Sequence, residues 1–169
     1  MKTLLIVYHS MTGGTAQMAL AAAAGASAAA ARGAPGQLRV RCLRASEAGP
    51  EDVLAADGYV FATPEYLAAM SGLMKDFFDR CYYAALDRIN GRPYAVLICA
   101  GSDGQNAARQ VERIATGWRL KPVAPAAIVC THAQTPEQIA RAKQIGEAHR
   151  QSCEELGAAL AEGLMLGIY

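Results

Sequence analysis

The chain has 169 residues, of which 53% are hydrophobic and 18% charged, and its formal net charge is +1. A chain of this length can bury one continuous core, so we expect a single domain over residues 1–169. The near-neutral charge argues against nucleic-acid binding, and 16 Lys and Arg against 15 Asp and Glu are unlike a strongly acidic docking protein.

The cysteines are odd in number and never in CxxC spacing, so we expect no metal site, and we expect most of them to be packed as reduced thiols in a reducing cytoplasm. They are Cys42, Cys81, Cys99, Cys130 and Cys153. The alanine-rich stretch Ala19–Ala31 is too short and too weakly hydrophobic to span a bilayer, so it is interpreted as part of a helix and no membrane insertion is expected.

In chain order, the wholly apolar run Thr3–Tyr8 predicts a strand covered on both faces. A helix is predicted from Gly13 to Ala31. Leu38–Leu43 alternates between apolar and basic residues, which predicts an edge strand with one solvated face. A short helix is predicted over Glu51–Leu54, because the preceding proline suits a first helical turn.

Asp57–Thr63 predicts the next strand, which we expect to stop at Pro64. Gly72–Ala85 predicts a helix, because apolar residues recur at three-to-four spacing. The predicted buried face consists of Leu73, Met74, Phe77, Phe78 and Cys81.

Pro93–Ala100 predicts a buried strand, followed by a loop and a helix that reaches about Trp118. The last strand is predicted within Pro122–Thr131. A long helix is then predicted from a cap at Thr135 to about Glu162, because "TPEQ" is a typical helix start.

Strands and helices therefore alternate, which predicts parallel strands with helices on both faces of the sheet. The predicted fold class is α/β: a flavodoxin-like three-layer sandwich around a five-stranded parallel sheet of order 2-1-3-4-5. Ligands of such sheets bind outside the carboxyl ends of the strands, which here are the loops Ser10–Thr15, Pro64–Ser71 and Gly101–Asn106.

The first loop, SMTGGT, runs directly into a helix, so several backbone N–H groups lack helical partners. With its hydroxyls, it predicts a cradle for a single phosphate group held by neutral donors. It is neither a GxxxxGK[ST] loop nor a GxGxxG loop. The alternative is an ordinary helix cap in a flexible turn, with no ligand.

SMTGGT resembles the [ST]-x-T-G-x-T phosphate loop of flavodoxin-like FMN proteins. TPEYLAAMSGLMKDFFDR, from Thr63 to Arg80, is similar to the second flavin loop of NAD(P)H-dependent FMN and quinone reductases of the Trp-repressor-binding-protein type. AGSDGQNA, from Ala100 to Ala107, occupies the place of the third flavin loop.

The resemblance implies FMN as cofactor, with no catalytic side chain from the protein because the flavin N5 carries the chemistry. The implied phosphate residues are Ser10, Met11, Thr12, Gly13, Gly14 and Thr15. Those along the ribityl chain and ring edge are Thr63, Pro64, Glu65, Tyr66 and Leu67. Those bordering the outer ring are Gly101, Ser102, Asp103 and Gly104. Tyr66 and His132 are candidate substrate contacts, although His132 also suits an ordinary loop or capping role.

Ordinary flavodoxins commonly sandwich the flavin ring between aromatic residues. Here only Tyr66 could stack on the ring, because Trp118 is expected to pack in the core. One ring face would stay open to nicotinamide or an acceptor. Lys75 and Asp79 are interpreted as a solvated ion pair.

We therefore predict an FMN oxidoreductase that takes hydride from NAD(P)H and passes electrons to a small-molecule acceptor such as a quinone. The alternatives are a flavodoxin-like carrier exchanging single electrons with protein partners, and a flavin-free domain acting by interaction. The apolar tail Gly163–Tyr169 suits either packing back onto the sheet or covering a subunit contact. Because the resembling reductases are often oligomers, we also expect a homodimer or homotetramer.

Overall fold

The computed structural model describes all 169 residues, which form seven strands and six helices. The strands are β1 Lys2–Tyr8, β2 Leu38–Arg44, β3 Gly58–Tyr66, β4 Ala69–Met70, β5 Pro93–Ala100, β6 Lys121–Pro122 and β7 Ala127–Cys130. The helices are α1 Gly14–Arg32, α2 Pro50–Ala55, α3 Gly72–Ala85, α4 Gln105–Gly117, α5 Pro136–Ala140 and α6 Glu147–Leu166. None of the helices is long and apolar enough to cross a bilayer.

The parallel part of the sheet has the order β2-β1-β3-β5, with β6 and β7 both pairing with β5 on its outer side. β6 lies beside Pro93–Tyr94 and β7 beside Leu97–Ala100, so the two are pieces of one interrupted fifth strand. The predicted order 2-1-3-4-5 is confirmed. The additional strand β4 pairs with the end of β3 as an antiparallel hairpin.

Two hydrophobic cores cover the two faces of the sheet. Leu5 and Val7 of β1 belong to the core shared with α2, α3 and α4, whereas Leu4 and Ile6 belong to the core shared with α1 and α6. Because successive strand residues point to opposite faces, a wholly apolar strand is what two covered faces require. The predicted three-layer arrangement is confirmed.

Three predictions from the sequence are wrong in detail. β3 continues through Pro64, which pairs with Cys99 of β5. Proline is tolerated here because β1, the strand on the other side of β3, ends at Tyr8 and offers no acceptor for an N–H at position 64. Leu73 is 45% exposed, since it lies one position away from the buried face of α3. The helix that begins after Thr135 also ends early.

The predicted cap at Thr135 is confirmed: its hydroxyl accepts from the Gln138 N–H, and Gln138 Oε1 accepts from the Thr135 N–H. The helix that follows is only five residues long. The segment Arg141–Gly146, which we call the strap, is not helical and precedes α6. Local propensity favours a helix here, but contacts of the strap with the start of α1, described below, replace the helical hydrogen bonds.

Candidate functional site

Three loops follow β1, β3 and β5, which are neighbours in the sheet. Because these strands are parallel, their carboxyl ends lie at one edge, which we call the carboxyl edge. The loops are His9–Gly13, the hairpin Glu65–Met70, and Gly101–Gly104. The sequence predicted this convergence, and the structure confirms it.

The first loop turns into α1 at Gly13, whose φ of 90° lies in the left-handed region that favours glycine. The Gly13 N–H donates to Ser10 Oγ at 3.1 Å, so the Ser10 hydroxyl is engaged within the loop. The N–H groups of Gly14, Thr15 and Ala16 donate to no protein group. The helix therefore begins with free donors and the positive end of its dipole.

Thr15 provides the test of whether these residues fit a phosphate group. Its side chain is 1% exposed, and its Oγ1 has no hydrogen-bond partner. A buried hydroxyl without a partner costs free energy, so it is retained where something outside the chain completes it. The free N–H groups and this hydroxyl together suit a phosphate oxygen, and the residues therefore fit such a group.

The buried Gly14 serves packing more than ligand approach. A Cβ at this position would lie 2.5 Å from Cys99 Sγ and 3.3 Å from Lys143 Cβ. Its side-chain space is thus filled by β5 and the strap, and only its N–H remains to face a ligand. The sequence indicated that small residues occur at the start of α1, but not that contacts with Cys99 and Lys143 require a glycine at position 14.

In the second loop, Thr63 is completely buried and its hydroxyl is used internally. Thr63 Oγ1 accepts from the Ser71 N–H at 3.1 Å and donates to the Pro64 carbonyl at 2.9 Å. Ser71 in turn caps α3 by accepting from the Met74 N–H. This side chain therefore fixes the loop that joins β3 to α3, and the predicted place of Thr63 along the ribityl chain and ring edge stays a prediction. Pro64 is also buried.

The Glu65 side chain joins the second loop to the third. Its two carboxylate oxygens accept from the Gly104 N–H at 2.9 Å and the Ala107 N–H at 3.0 Å. An anion at the start of α4 suits the helix dipole, and α4 has no cap from its own side chains. The Glu65 carboxylate is thus used within the protein, and the predicted place of Glu65 along the ribityl chain and ring edge stays a prediction.

Tyr66 lies against the first loop. Its ring meets the His9 ring edge-on, with 6.1 Å between the centroids. Burial raises the pKa of Tyr66, while a hydrogen bond from the Met11 backbone opposes that rise. Tyr66, the only aromatic residue of the second loop, thus packs beside the loop that forms the predicted phosphate cradle.

The hairpin turn after Tyr66 is strained. Leu67 has φ 50° and Ala68 has φ 58°, and both are exposed. Two consecutive left-handed residues define a tight hairpin turn for which Asn and Gly are preferred. Two helix α4 side chains hold the hairpin: Asn106 Nδ2 donates to the Ala68 carbonyl at 2.5 Å, and Gln110 Oε1 accepts from the Met70 N–H.

The third loop presents Ser102 and Asp103 to solvent. Gly104, with φ 81°, is buried, and a Cβ there would lie 2.6 Å from Ile128. Exposed His132 donates its N–H to the Gly101 carbonyl at 2.7 Å, so it lies at the carboxyl edge beside this loop. No aromatic side chain belongs to the loop.

Two features of the edge were missed by sequence reasoning. His9 immediately precedes the cradle, and its Nδ1 is buried without a partner. Burial lowers the pKa of His9, and the charge of nearby Arg44 lowers it further. Arg44 also lies over the Tyr8 ring at 5.7 Å, so a cation from β2 stands near a loop that was predicted to have only neutral donors. The register of the parallel β1–β2 pairing, which the sequence analysis did not predict, sets Arg44 opposite Tyr8.

The remaining predictions near the edge concern packing. Trp118 is buried and packs edge-on against Phe61 and Phe78, so it is a core residue as predicted. Lys75 and Asp79 form the predicted exposed ion pair. Two open clefts, of about 610 and 540 Å³, are lined by residues of the opposite edge and of the α4–β6 region.

Residues 47–135 match the family model described as NADPH-dependent FMN reductase. The chain is 34% identical over 94 residues to an NAD(P)H dehydrogenase (quinone) of Acidithiobacillus ferrooxidans, covering 47% of each protein. It is 30% identical over 76 residues to an NAD(P)H-dependent FMN reductase of Schizosaccharomyces pombe, covering 44% of this chain and 36% of that protein.

The match therefore spans less than half the length of these two curated relatives. Among solved structures, a flavodoxin, WrbA-like protein from Agrobacterium tumefaciens superposes with a TM-score of 0.72 at 19% identity, covering 98% of this chain and 99% of that one. A flavodoxin from the domain Archaea superposes with a TM-score of 0.74 at 16% identity, covering 96% of this chain and 98% of that one. The fold is flavodoxin-like.

Proposed function

The chain belongs to the NADPH-dependent FMN reductase family, and from this premise we propose that it is an FMN-dependent oxidoreductase. In this proposal it takes hydride from NAD(P)H and passes electrons to a quinone or a similar small acceptor. Residues 1–169 form one flavodoxin-like FMN-binding domain. The observation that carries the proposal is the buried, unpartnered Thr15 hydroxyl beside the free N–H groups at the start of α1.

The cradle would hold the FMN phosphate. Thr15 Oγ1 and the N–H groups of Gly14, Thr15 and Ala16 are its donors, and none requires rearrangement because none has a protein partner. The Thr12 hydroxyl would complete the set. Such preorganised donors lower the cost of ordering the ligand.

The second and third loops would border the flavin ring through Tyr66, Leu67 and the segment Gly101–Asp103. The Glu65 carboxylate supports this arrangement, because it joins the hairpin to the start of α4 and keeps the two loops in register. Bound FMN would supply hydride and electron transfer at its N5, and the protein supplies binding and orientation. His132 and Tyr66 are the proposed substrate contacts.

The protein is proposed to act in the cytoplasm as a homodimer or homotetramer. Its five cysteines are all free, and burial raises the pKa of four of them to about 11, which suits thiols kept reduced in packed surroundings. Exposed apolar side chains on α3, including Tyr83 at 85% exposure, support self-association. Light scattering on the purified protein measures the assembly.

The decisive experiment measures both FMN binding and the oxidation of NAD(P)H by a quinone. The purified protein should be yellow or should become so with FMN, release FMN on heating, and oxidise NADPH or NADH in the presence of a quinone. A Thr12→Ala, Thr15→Ala double variant should lose the cofactor. Unchanged FMN affinity in that variant would contradict the cradle, and no affinity for FMN in the wild type would overturn the proposal.

Turnover distinguishes the proposed enzyme from the alternative, a flavodoxin-like electron carrier. An electron carrier would bind FMN yet show no steady-state oxidation of NAD(P)H by a quinone, and its reductive titration would proceed in two resolved one-electron steps. An enzyme would turn over with both substrates. The balanced net charge of +1 supports the enzyme, because steering towards a protein partner benefits from a strong field.

A further inference from the structure

The strap crosses behind the phosphate cradle and is anchored at both ends. On one side, the Lys143 ammonium donates to the carbonyl oxygens of Gln138, Ile139 and Arg141 at 2.8, 2.8 and 2.6 Å, which closes the end of α5. On the other side, Ile145 is buried in the core shared by α1 and α6. The middle of the strap is thereby held beside the first loop.

The side chain of Gln17 connects this strap to the cradle. Gln17 Nε2 donates to the Gly13 carbonyl at 3.1 Å and to the Lys143 carbonyl at 2.8 Å. Gln17 Oε1 accepts from the Ile145 N–H at 3.1 Å. The amide of the half-buried Gln17 side chain is thus hydrogen-bonded both to the first loop and to the strap, which lie more than a hundred residues apart in the sequence.

A second hydrogen bond fixes the same loop from behind. The Lys143 N–H donates to the Thr12 carbonyl at 2.8 Å. The Gly13 carbonyl also accepts from the Gln17 backbone N–H at 3.1 Å, so Gln17 holds it with both its main chain and its side chain. The carbonyl oxygens of Thr12 and Gly13 are therefore both directed away from the cradle.

The orientation of a carbonyl determines the orientation of the next N–H. In a planar trans peptide the C=O and the following N–H point in opposite directions. Holding the Gly13 carbonyl against Gln17 therefore directs the Gly14 N–H towards the opposite side, where the other free donors lie. Both residues that this peptide joins are glycine, so neither has a side chain that limits rotation of the peptide plane, and the two hydrogen bonds from Gln17 fix it.

We propose that Gln17 is a positioning residue for the phosphate cradle and that, with the strap, it provides the preference for a flavin carrying a 5′-phosphate over one without it. This inference rests on the proposed function, because it concerns the same phosphate group. Gln17 itself does not touch the ligand. It fixes the Gly13–Gly14 peptide and so keeps the Gly14 N–H available before the phosphate binds.

The test compares FMN with riboflavin, which has the same ring system but no phosphate. Gln17→Met keeps the length of the side chain and removes its hydrogen bonds. We expect the Kd for FMN to rise about tenfold or more, as expected when hydrogen bonds that orient a charged ligand's donors are lost. The Kd for riboflavin should change less than about twofold, since riboflavin has no phosphate group that could contact the cradle.

Gln144→Met is the matched control, because Gln144 lies in the same strap, is exposed and makes no side-chain hydrogen bond. It should leave both affinities unchanged. Hydrogen exchange gives an independent readout: the amide protons of Lys143 and Ile145 should exchange faster in Gln17→Met than in the control, and FMN should slow their exchange in the wild type.

The outcomes separate the two proposals. If the wild type binds neither flavin, the proposed function fails. If it binds FMN and Gln17→Met weakens both flavins equally or neither, the positioning role is wrong. Should Gln17→Met not fold, Gln17→Asn gives the same decision, because the shorter side chain adds no charge beside the phosphate and withdraws the amide from Gly13, Lys143 and Ile145. It should shift the ratio of affinities in the same direction.

Discussion

Replacing Thr15 by valine should have opposite effects on stability and on binding. The change keeps the shape of a β-branched side chain and removes only the hydroxyl, which is buried and has no partner. An unsatisfied buried hydroxyl costs about 1–3 kcal/mol. The flavin-free Thr15→Val variant should therefore be more stable by up to this amount, which corresponds to about 2–4 °C in Tm for each kcal/mol in a domain of this size.

The same substitution should weaken FMN binding. A hydrogen bond to a charged group contributes about 1.5–3 kcal/mol, so the Kd for FMN should rise about 10- to 150-fold. Calorimetric unfolding of the flavin-free protein and fluorescence titration with FMN measure the two effects. Such a trade of stability for binding is expected where a polar group is kept for a ligand.

Thr116→Val is the matched control for Thr15→Val. Its hydroxyl is exposed on α4 and donates to the Glu112 carbonyl, so its loss should change neither Tm nor FMN affinity appreciably. The reasoning about Thr15 is refuted if Thr15→Val lowers the Tm while FMN affinity stays the same, since the hydroxyl would then serve the fold alone.

Three further predictions concern the loops at the carboxyl edge. Ala68→Gly should raise the Tm by about 2–8 °C, because a left-handed non-glycine residue costs about 1–2 kcal/mol. Ala69→Gly in β4 should lower the Tm, and a lower Tm in both variants would contradict the strain at Ala68. Glu65→Ala should destabilise the protein by about 1.5–3 kcal/mol in denaturant unfolding, because two N–H groups at the start of α4 lose a charged acceptor. An effect no larger than that of Asp103→Ala, which removes an exposed carboxylate from the same loop, would argue against this role. His9 should make stability depend on pH: since the folded protein lowers its pKa, the unfolded chain binds the proton more readily, and stability should fall as the pH drops below about 6.5. His9→Gln should remove that part of the loss in Tm between about pH 7.5 and 5.5, and an unchanged pH profile would show that His9 is not its source.

Local sequence patterns determined most of the secondary structure. β5 and α3 have the predicted bounds, because an uninterrupted apolar run and a three-to-four repeat with a serine cap each favour one structure strongly. The alternation of strands and helices then restricted the topology to a parallel sheet, and the position of β2 followed from its one basic face.

Interactions between distant segments decided what local patterns could not. The sequence predicted a continuous helix through Lys143, but hydrogen bonds to Thr12 and Gln17 replace the helical ones and form the strap. Similarly, β3 continues past Pro64, since the adjacent strand has already ended and the missing N–H has no acceptor to satisfy.

The candidate site divides in the same way. The sequence by itself determined which loops meet at the carboxyl edge and that the first of them offers hydroxyls and free amides, because both follow from strand order and local composition. Only the tertiary structure decided that the side chains of Thr63 and Glu65 serve the protein, that the Thr15 hydroxyl has no partner, and that Gln17 holds the cradle. The physical reason is that a polar group's availability depends on all its neighbours in space, and most of these are distant in the chain.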